Sequence, residues 1–191
     1  MEQPEREQDW IRRAQRGDAE AYDALVRAYE TLAFRAAYLI TREEHEAADA
    51  AQDAFVRAYR ALNTFRLGEP FRPWLMRIVT NQALNRIQAS KRRANMNERY
   101  VLAENENRGP SDAQAHLETR DQNEKLMRAV QRLKPEEQML ISLRYFLELP
   151  EAEVAHTLNI PQGTVKSRLH RTLAKLREII AREFPDLVEM V

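Results

Sequence analysis

Apolar residues recur along this chain at steps of three and four over most of its length, and the first such run is short. Trp10, Ile11 and Ala14 form one apolar face that Gly17 ends, with Asp18 placed to cap a second helix. Tyr22, Leu25, Val26, Tyr29, Leu32, Ala33, Ala36, Leu39 and Ile40 continue at helical spacing and predict that this helix is long and amphipathic. Thr41 with Glu44 matches a capping box for a third helix, whose buried stripe reads as Ala48, Ala51, Phe55, Ala58, Tyr59 and Leu62. Residues 63–70, with Gly68 and Pro70, read as a loop. A further helix is predicted from Phe71 or Pro73 to about Ser90. Its inner side is Phe71, Trp74, Leu75 and Ile78, and Arg77, Asn81 and Asn85 make a polar stripe on the other side.

From Ala94 to Arg120 the periodicity fails, and Asn, Glu, Ser, Gly109 and Pro110 dominate, as in a linker between domains. It resumes near Asp121. Leu126, Val130 and Leu133 mark one helix, and Pro135 suits the first position of the next, which buries Leu140, Leu143 and Phe146 or Leu147. A short helix, Glu151 to Leu158, leads through Asn159 and Ile160 to Pro161 and a last helix burying Val165, Leu169, Leu173 and Leu176. A short helix, a tight turn and a basic helix form the helix-turn-helix pattern. The fold class predicted is all-α: two helical domains, 1–93 and 121–191, joined by a linker at 94–120.

Composition agrees with helix: only 4 Gly in 191 residues, with abundant Ala, Arg, Glu and Leu. Net charge is zero, from 30 basic and 30 acidic residues, which by itself argues against a nucleic-acid binder. The distribution reverses that argument. Residues 161–177 hold Lys166, Arg168, Arg171, Lys175 and Arg177 and no acid, whereas residues 100–124 carry six acids against Arg108 and Arg120. The chain has no Cys, which excludes disulfides and thiolate chemistry and fits a cytoplasmic protein. The polar, acidic start at Met1 to Asp9 is no signal peptide, and no apolar run reaches the length of a membrane span, so no membrane insertion is expected.

The last helix carries the strongest candidate chemistry. Its outer side presents Lys166, Ser167, His170, Arg171 and Lys175, and Thr164 stands near its start, where free N–H groups attract phosphate. The second candidate is the helix at 71–90, where Phe65, Phe71 and Trp74 lie among Arg66, Arg72, Arg77 and the cluster Lys91-Arg92-Arg93. Such interleaving suits unstacked bases, although Phe71 and Trp74 also have core spacing. Asp49, Gln52 and Asp53 read from composition as ordinary surface polarity. Catalysis is not indicated: His45, His116, His156 and His170 are scattered and no Gly-rich phosphate loop occurs. No enzyme activity, metal or cofactor is expected.

Several stretches resemble the extracytoplasmic-function sigma factors of bacterial RNA polymerase. Residues 17–22, GDAEAY, resemble the start of that family's first domain. Residues 49–62, DAAQDAFVRAYRAL, resemble its polymerase-binding segment, and 71–93, FRPWLMRIVTNQALNRIQASKRR, its −10 promoter segment. Residues 133–177, LKPEEQMLISLRYF through NIPQGTVKSRLHRTLAKLR, resemble its −35-reading domain. The resemblance implies that Asp49, Gln52, Asp53, Phe55 and Val56 face the polymerase clamp helices. It sets Asn81 at a flipped-out base of the −10 element, with Phe65, Arg66, Trp74, Arg77, Lys91, Arg92 and Arg93 around the melted strand. It sets Thr164, Lys166, Ser167, Arg168, His170, Arg171 and Lys175 at the −35 duplex. Core RNA polymerase, promoter DNA and an anti-sigma protein are the implied partners of a monomeric factor, and no sensing domain is expected beyond Val191.

The sequence departs from the family pattern at three places. Ala50 and Ala51 stand where Leu or Val is usual, which predicts a less apolar polymerase contact. Glu148 and Pro150 stand where Gly and Ser usually precede the short helix, and His170 occupies a base-facing position. Two other readings compete: a stand-alone helix-turn-helix regulator, dimeric on a palindrome, and a helical adaptor with no DNA role. The segments 49–62 and 71–93 argue against the first, and the acid-free run at 161–177 against the second.

Overall fold

The computed structural model describes residues 3–97 and 117–187, and among them every regular element is helical. The α-helices are α1 (Gln3–Gln15), α2 (Ala19–Thr41), α3 (Glu44–Ala61), α4 (Phe71–Asn97), α5 (Leu117–Gln131), α6 (Pro135–Ile141), α7 (Glu151–Leu158) and α8 (Gln162–Glu183). Both α4 and α5 reach into the stretch expected as linker, and the rest of that stretch lies outside the described residues.

In the N-terminal half, α2, α3 and α4 pack on one another and α1 lies across α2. The seam is alanine: Ala33, Ala36 and Ala37 on α2, Ala47, Ala50, Ala54 and Ala58 on α3, and Ala83 on α4 are at most 1% exposed. Side chains of one carbon let the helix axes approach closely, and the larger Leu25, Leu62, Phe71, Leu75, Met76 and Val79 fill the remaining volume. The buried face of α3 keeps Ala51, Ala58 and Leu62 of the predicted stripe and adds Ala47, Ala50 and Ala54, while Ala48 and Tyr59 point outward. Alanine occurs on both sides of this helix, so apolar periodicity does not fix the centre of the stripe. Ala50 and Ala51 are likewise core, so they set helix spacing and leave the exposed face of α3 to other residues.

Local chemistry fixes the ends. The Asp18 carboxylate accepts the Ala21 N–H at 3.1 Å, so the predicted cap is present. The cap of α3 is Glu43 and not Thr41. Arg42 turns the chain at φ 59°, and the Glu43 carboxylate then accepts from the N–H groups of His45 (2.9 Å) and Glu46 (2.6 Å). Thr41 is the last residue of α2, with its hydroxyl on the Glu43 carbonyl. Between α3 and α4 the loop is held from α1. The Gln15 amide donates to the carbonyls of Leu62 and Phe65, both at 2.9 Å, and Gln8 bridges the Gly68 N–H and the Glu69 carbonyl.

The C-terminal half has a conventional aliphatic core of Leu133, Leu140, Leu143, Leu149, Val154, Val165, Leu169 and Leu176. Pro135 opens α6, as predicted. A π-helical turn, Ser142–Phe146, comes after α6. Glu148 then adopts φ 54°, a left-handed conformation that favours Gly, the residue usual at this place in the pattern the sequence resembles. Pro150 precedes α7 as its cap position and is not its first helical residue. Asn159, also left-handed, ends α7, and the short turn to α8 completes the helix-turn-helix. The two halves meet where α7 lies on the start of α4. There the Arg72 guanidinium makes two 2.6 Å bonds to the Glu153 carboxylate, and the Thr157 hydroxyl donates to the Pro73 carbonyl at 3.4 Å.

Candidate nucleic-acid interface

Three surfaces carry the residues that the sequence singled out. The first is α4. Packing of Phe71, Leu75, Met76, Val79 and Ala83 into the core turns Arg77, Asn81 and Asn85 outward, each exposed, in one stripe. Beside the head of this helix Phe65, Phe71 and Trp74 form an aromatic cluster with ring centroids 5.2–5.5 Å apart, mostly edge to face. Phe65, expected at a melted strand, is only 6% exposed, because Phe71 and Trp74 close over it. It supports Trp74, which is half-buried, and is not itself a free stacking face in this arrangement. Arg66 is exposed on the adjoining loop, and the Arg92 guanidinium turns back to the Gln88 carbonyl at 3.3 Å. The side chains of Lys91 and Arg93 lie outside the described residues.

The second surface is the outer face of α3, which divides into two edges. Toward α4 run Glu46, Asp49 and Asp53. Arg86 reaches across from α4, with Nη1 at 3.1 Å from Glu46 and 2.9 Å from Asp49, and Nη2 at 2.8 Å from Asp53. Burial pulls the Arg86 pKa down, but the bonds to Asp53 and Glu46 outweigh that and hold it above its usual value. Toward α2 the same face becomes apolar. Tyr22, Val26, Phe34, Phe55, Val56 and Tyr59 line an open groove of about 800 Å³, with Val56 46% and Tyr59 48% exposed. The Tyr22 hydroxyl donates to the Phe55 carbonyl at 2.5 Å, and burial pushes the phenol pKa up to about 12. Gln52 and Val56 lie between the edges, so Asp49, Gln52, Asp53, Phe55 and Val56 do share one continuous surface.

The third surface is α8. Val165, Leu169, Thr172, Leu176 and Ile179 face inward, leaving Lys166, Ser167, Arg168, His170 and Arg171 exposed and Thr164 half-buried at the first turn. Among the described residues Lys166, Arg168 and Arg171 have no carboxylate partner; Arg171 bonds only the Ser167 carbonyl, at 3.3 Å. Lys175 is different. Its ammonium lies 2.7 Å from Glu137, whose carboxylate also accepts the Lys134 N–H, so Lys175 clips α8 to α6 and is not a free cation for a duplex. Burial pushes the Glu137 carboxyl upward, and Lys175 more than offsets it, leaving the pKa below the ordinary value.

The sequence missed Arg86. Acids at 46, 49 and 53 share one helical edge and so call for a cation, but the spacing does not say from which helix it comes. Nor did any local signal point to the Arg72–Glu153 pair, which joins residues 81 positions apart.

Two family models match the chain in order: Sigma-70 region 2 over residues 25–93 and Sigma-70, region 4 over residues 123–176. The chain is 31% identical to the ECF RNA polymerase sigma factor SigW of Bacillus subtilis, across 93% of this chain and 96% of SigW. It is 34% identical to the RNA polymerase sigma-H factor of Pseudomonas aeruginosa, across 96% of each. Among solved structures, CnrH in complex with the cytosolic domain of CnrY superimposes with a TM-score of 0.66 at 24% identity, covering 93% of this chain and 99% of CnrH.

Proposed function

The chain belongs to the extracytoplasmic-function sigma factors of RNA polymerase, and on that premise we propose how its surfaces divide the work. It binds core RNA polymerase and directs promoter-specific initiation. In our reading the face of α3, through Asp49, Gln52, Asp53, Phe55 and Val56, meets the polymerase clamp helices. Asn81 receives a flipped-out base of the −10 element, with Arg66, Trp74 and Arg77 around the strand, because an amide offers both donor and acceptor to an unstacked base edge. Thr164, Lys166, Ser167, Arg168, His170 and Arg171 meet the −35 duplex. Its action is non-catalytic and cytoplasmic, and the factor works as a monomer.

The observation that carries this reading is the pairing of two nucleic-acid-suited surfaces on one chain. One is an amide stripe beside aromatics on α4; the other is a recognition helix, α8, on which Lys166, Arg168 and Arg171 have no carboxylate partner among the described residues. A stand-alone helix-turn-helix regulator would account for the second surface and leave the first idle. The exposed apolar groove between α2 and α3 fits coverage by a protein when the factor is idle, and an anti-sigma protein is the partner we assign to it.

The test is a pull-down with purified core polymerase followed by transcription from a promoter library. Stable binding and initiation at a shared −10/−35 pair are expected. Asn81→Ala should lose −10 discrimination with little change in −35 binding, and equal activity of the wild type and variant across all −10 sequences would remove Asn81 from the site.

A further inference from the structure

Three carboxylates, Glu46, Asp49 and Asp53, stand along one edge of α3, and like charges at such spacing repel. They do not splay apart, because one side chain from the neighbouring helix engages all three: both terminal nitrogens of Arg86 lie 2.8–3.1 Å from their oxygens. The third nitrogen, Nε, is buried and makes no hydrogen bond among the described residues, so the contacts of the guanidinium there are with this row. Asp49 and Asp53 each use only one oxygen, Oδ2, in the contact, and both side chains remain more than half exposed (58% and 56%). Among the described residues nothing holds their second oxygens. Each acid is thus anchored by one oxygen and presents the other outward.

Arg86 is also next in sequence to Asn85 and about 1.4 turns from Asn81 on α4. A step of one residue rotates a helix side chain by about 100°, which aims Arg86 at α3 while the asparagines face out.

We infer that Arg86 is a positioning residue for polymerase binding: it pre-orders Asp49 and Asp53 on α3 and ties that contact to the promoter-reading helix α4. The inference rests on the reading that Asp49 and Asp53 meet polymerase. Without Arg86 both acids must be ordered at the moment of binding, and three adjacent negative charges lose their common counter-charge. Arginine suits the place because its planar fork serves several carboxylates at once, which the single ammonium of lysine does not.

The test is the affinity of the full chain for purified core polymerase, measured alongside thermal unfolding. Five forms are compared: wild type, Arg86→Gln, Arg86→Lys, Asp49→Asn/Asp53→Asn, and the triple Arg86→Gln/Asp49→Asn/Asp53→Asn. Arg86→Gln should bind about tenfold more weakly, the cost of fixing two side chains on association. Arg86→Lys should fall between it and wild type. The triple variant should bind no more weakly than Asp49→Asn/Asp53→Asn, because Arg86 acts through those acids, whereas a general structural defect would add a further loss. Wild-type affinity in Arg86→Gln, with weakened binding in Asp49→Asn/Asp53→Asn, would overturn the role of Arg86 alone. Undiminished binding in Asp49→Asn/Asp53→Asn would instead overturn the surface assignment beneath it.

Discussion

In the N-terminal domain the helices meet through alanine, and the acidic row on α3 is answered from inside the domain by Arg86. In the C-terminal domain the helices meet through leucine and valine, and Lys166, Arg168 and Arg171 on α8 are left for something outside to answer. The difference teaches where each surface finds its energy. The α3 face is assembled before any partner arrives. The α8 face gains its counter-charge only on association, so its contribution should depend on the salt concentration.

The contrast in packing can be broken from either side. Leu149 is fully buried, and Leu149→Ala should cost the C-terminal domain about 2–5 kcal/mol through the cavity it leaves. Removing atoms has little meaning at an alanine seam, and there the damaging change is addition: Ala54→Leu should cost the N-terminal domain about 1–3 kcal/mol by forcing α3 outward. Calorimetry that resolves two transitions would check both, since each variant should lower one and spare the other. The contrast in charge is sharpened by Arg168→Ala, which should lower the slope of log affinity against log salt for −35 duplex by about 1 if that side chain meets a phosphate. An unchanged slope would remove Arg168 from the phosphate contacts. Glu148→Gly should stabilise the C-terminal domain by about 1 kcal/mol, read as a raised melting temperature, because Glu148 holds φ 54° and glycine takes that conformation freely.

The smallest effect is a pH dependence in the N-terminal domain. The Ala21 N–H, and then the Arg13 guanidinium, hold the Asp18 carboxyl below its ordinary value. A carboxyl lowered on folding contributes stability above its unfolded pKa and loses it as the pH falls through the folded one. Stability should therefore decline below about pH 4, and Asp18→Asn, which keeps a capping oxygen but does not titrate, should flatten that decline in acid unfolding curves.

Much of the fold is legible in the sequence. Helical spacing finds the elements, the cap at Asp18 and the turn into α8, because those signals are local. The outward stripe of Arg77, Asn81 and Asn85 is set by the apolar residues opposite it. On α3 the stripe is right at Ala51, Ala58 and Leu62 and wrong at Ala48 and Tyr59, because alanine on both sides removes the contrast that periodicity needs. The second loss is the partner of every long-range ion pair. Nothing near Lys175 in sequence says that Glu137 will hold it, and nothing near Asp49 and Asp53 names Arg86. Phe65 misleads for a related reason. An aromatic beside basic residues suits a base or a core equally well, and only the ring contacts with Phe71 and Trp74 decide.

The match to sigma region 2 begins at residue 25, but the mechanical unit begins earlier. Gln15 and Gln8 of α1 fasten four backbone groups of the stretch that delivers the chain into α4, and Ile11 is fully enclosed beneath them. A fragment trimmed to the family boundary would keep every residue assigned to polymerase or to DNA. It would nonetheless lose the brace on the loop that carries Phe65 and Arg66, so α1 supports from behind the surface proposed to read the promoter.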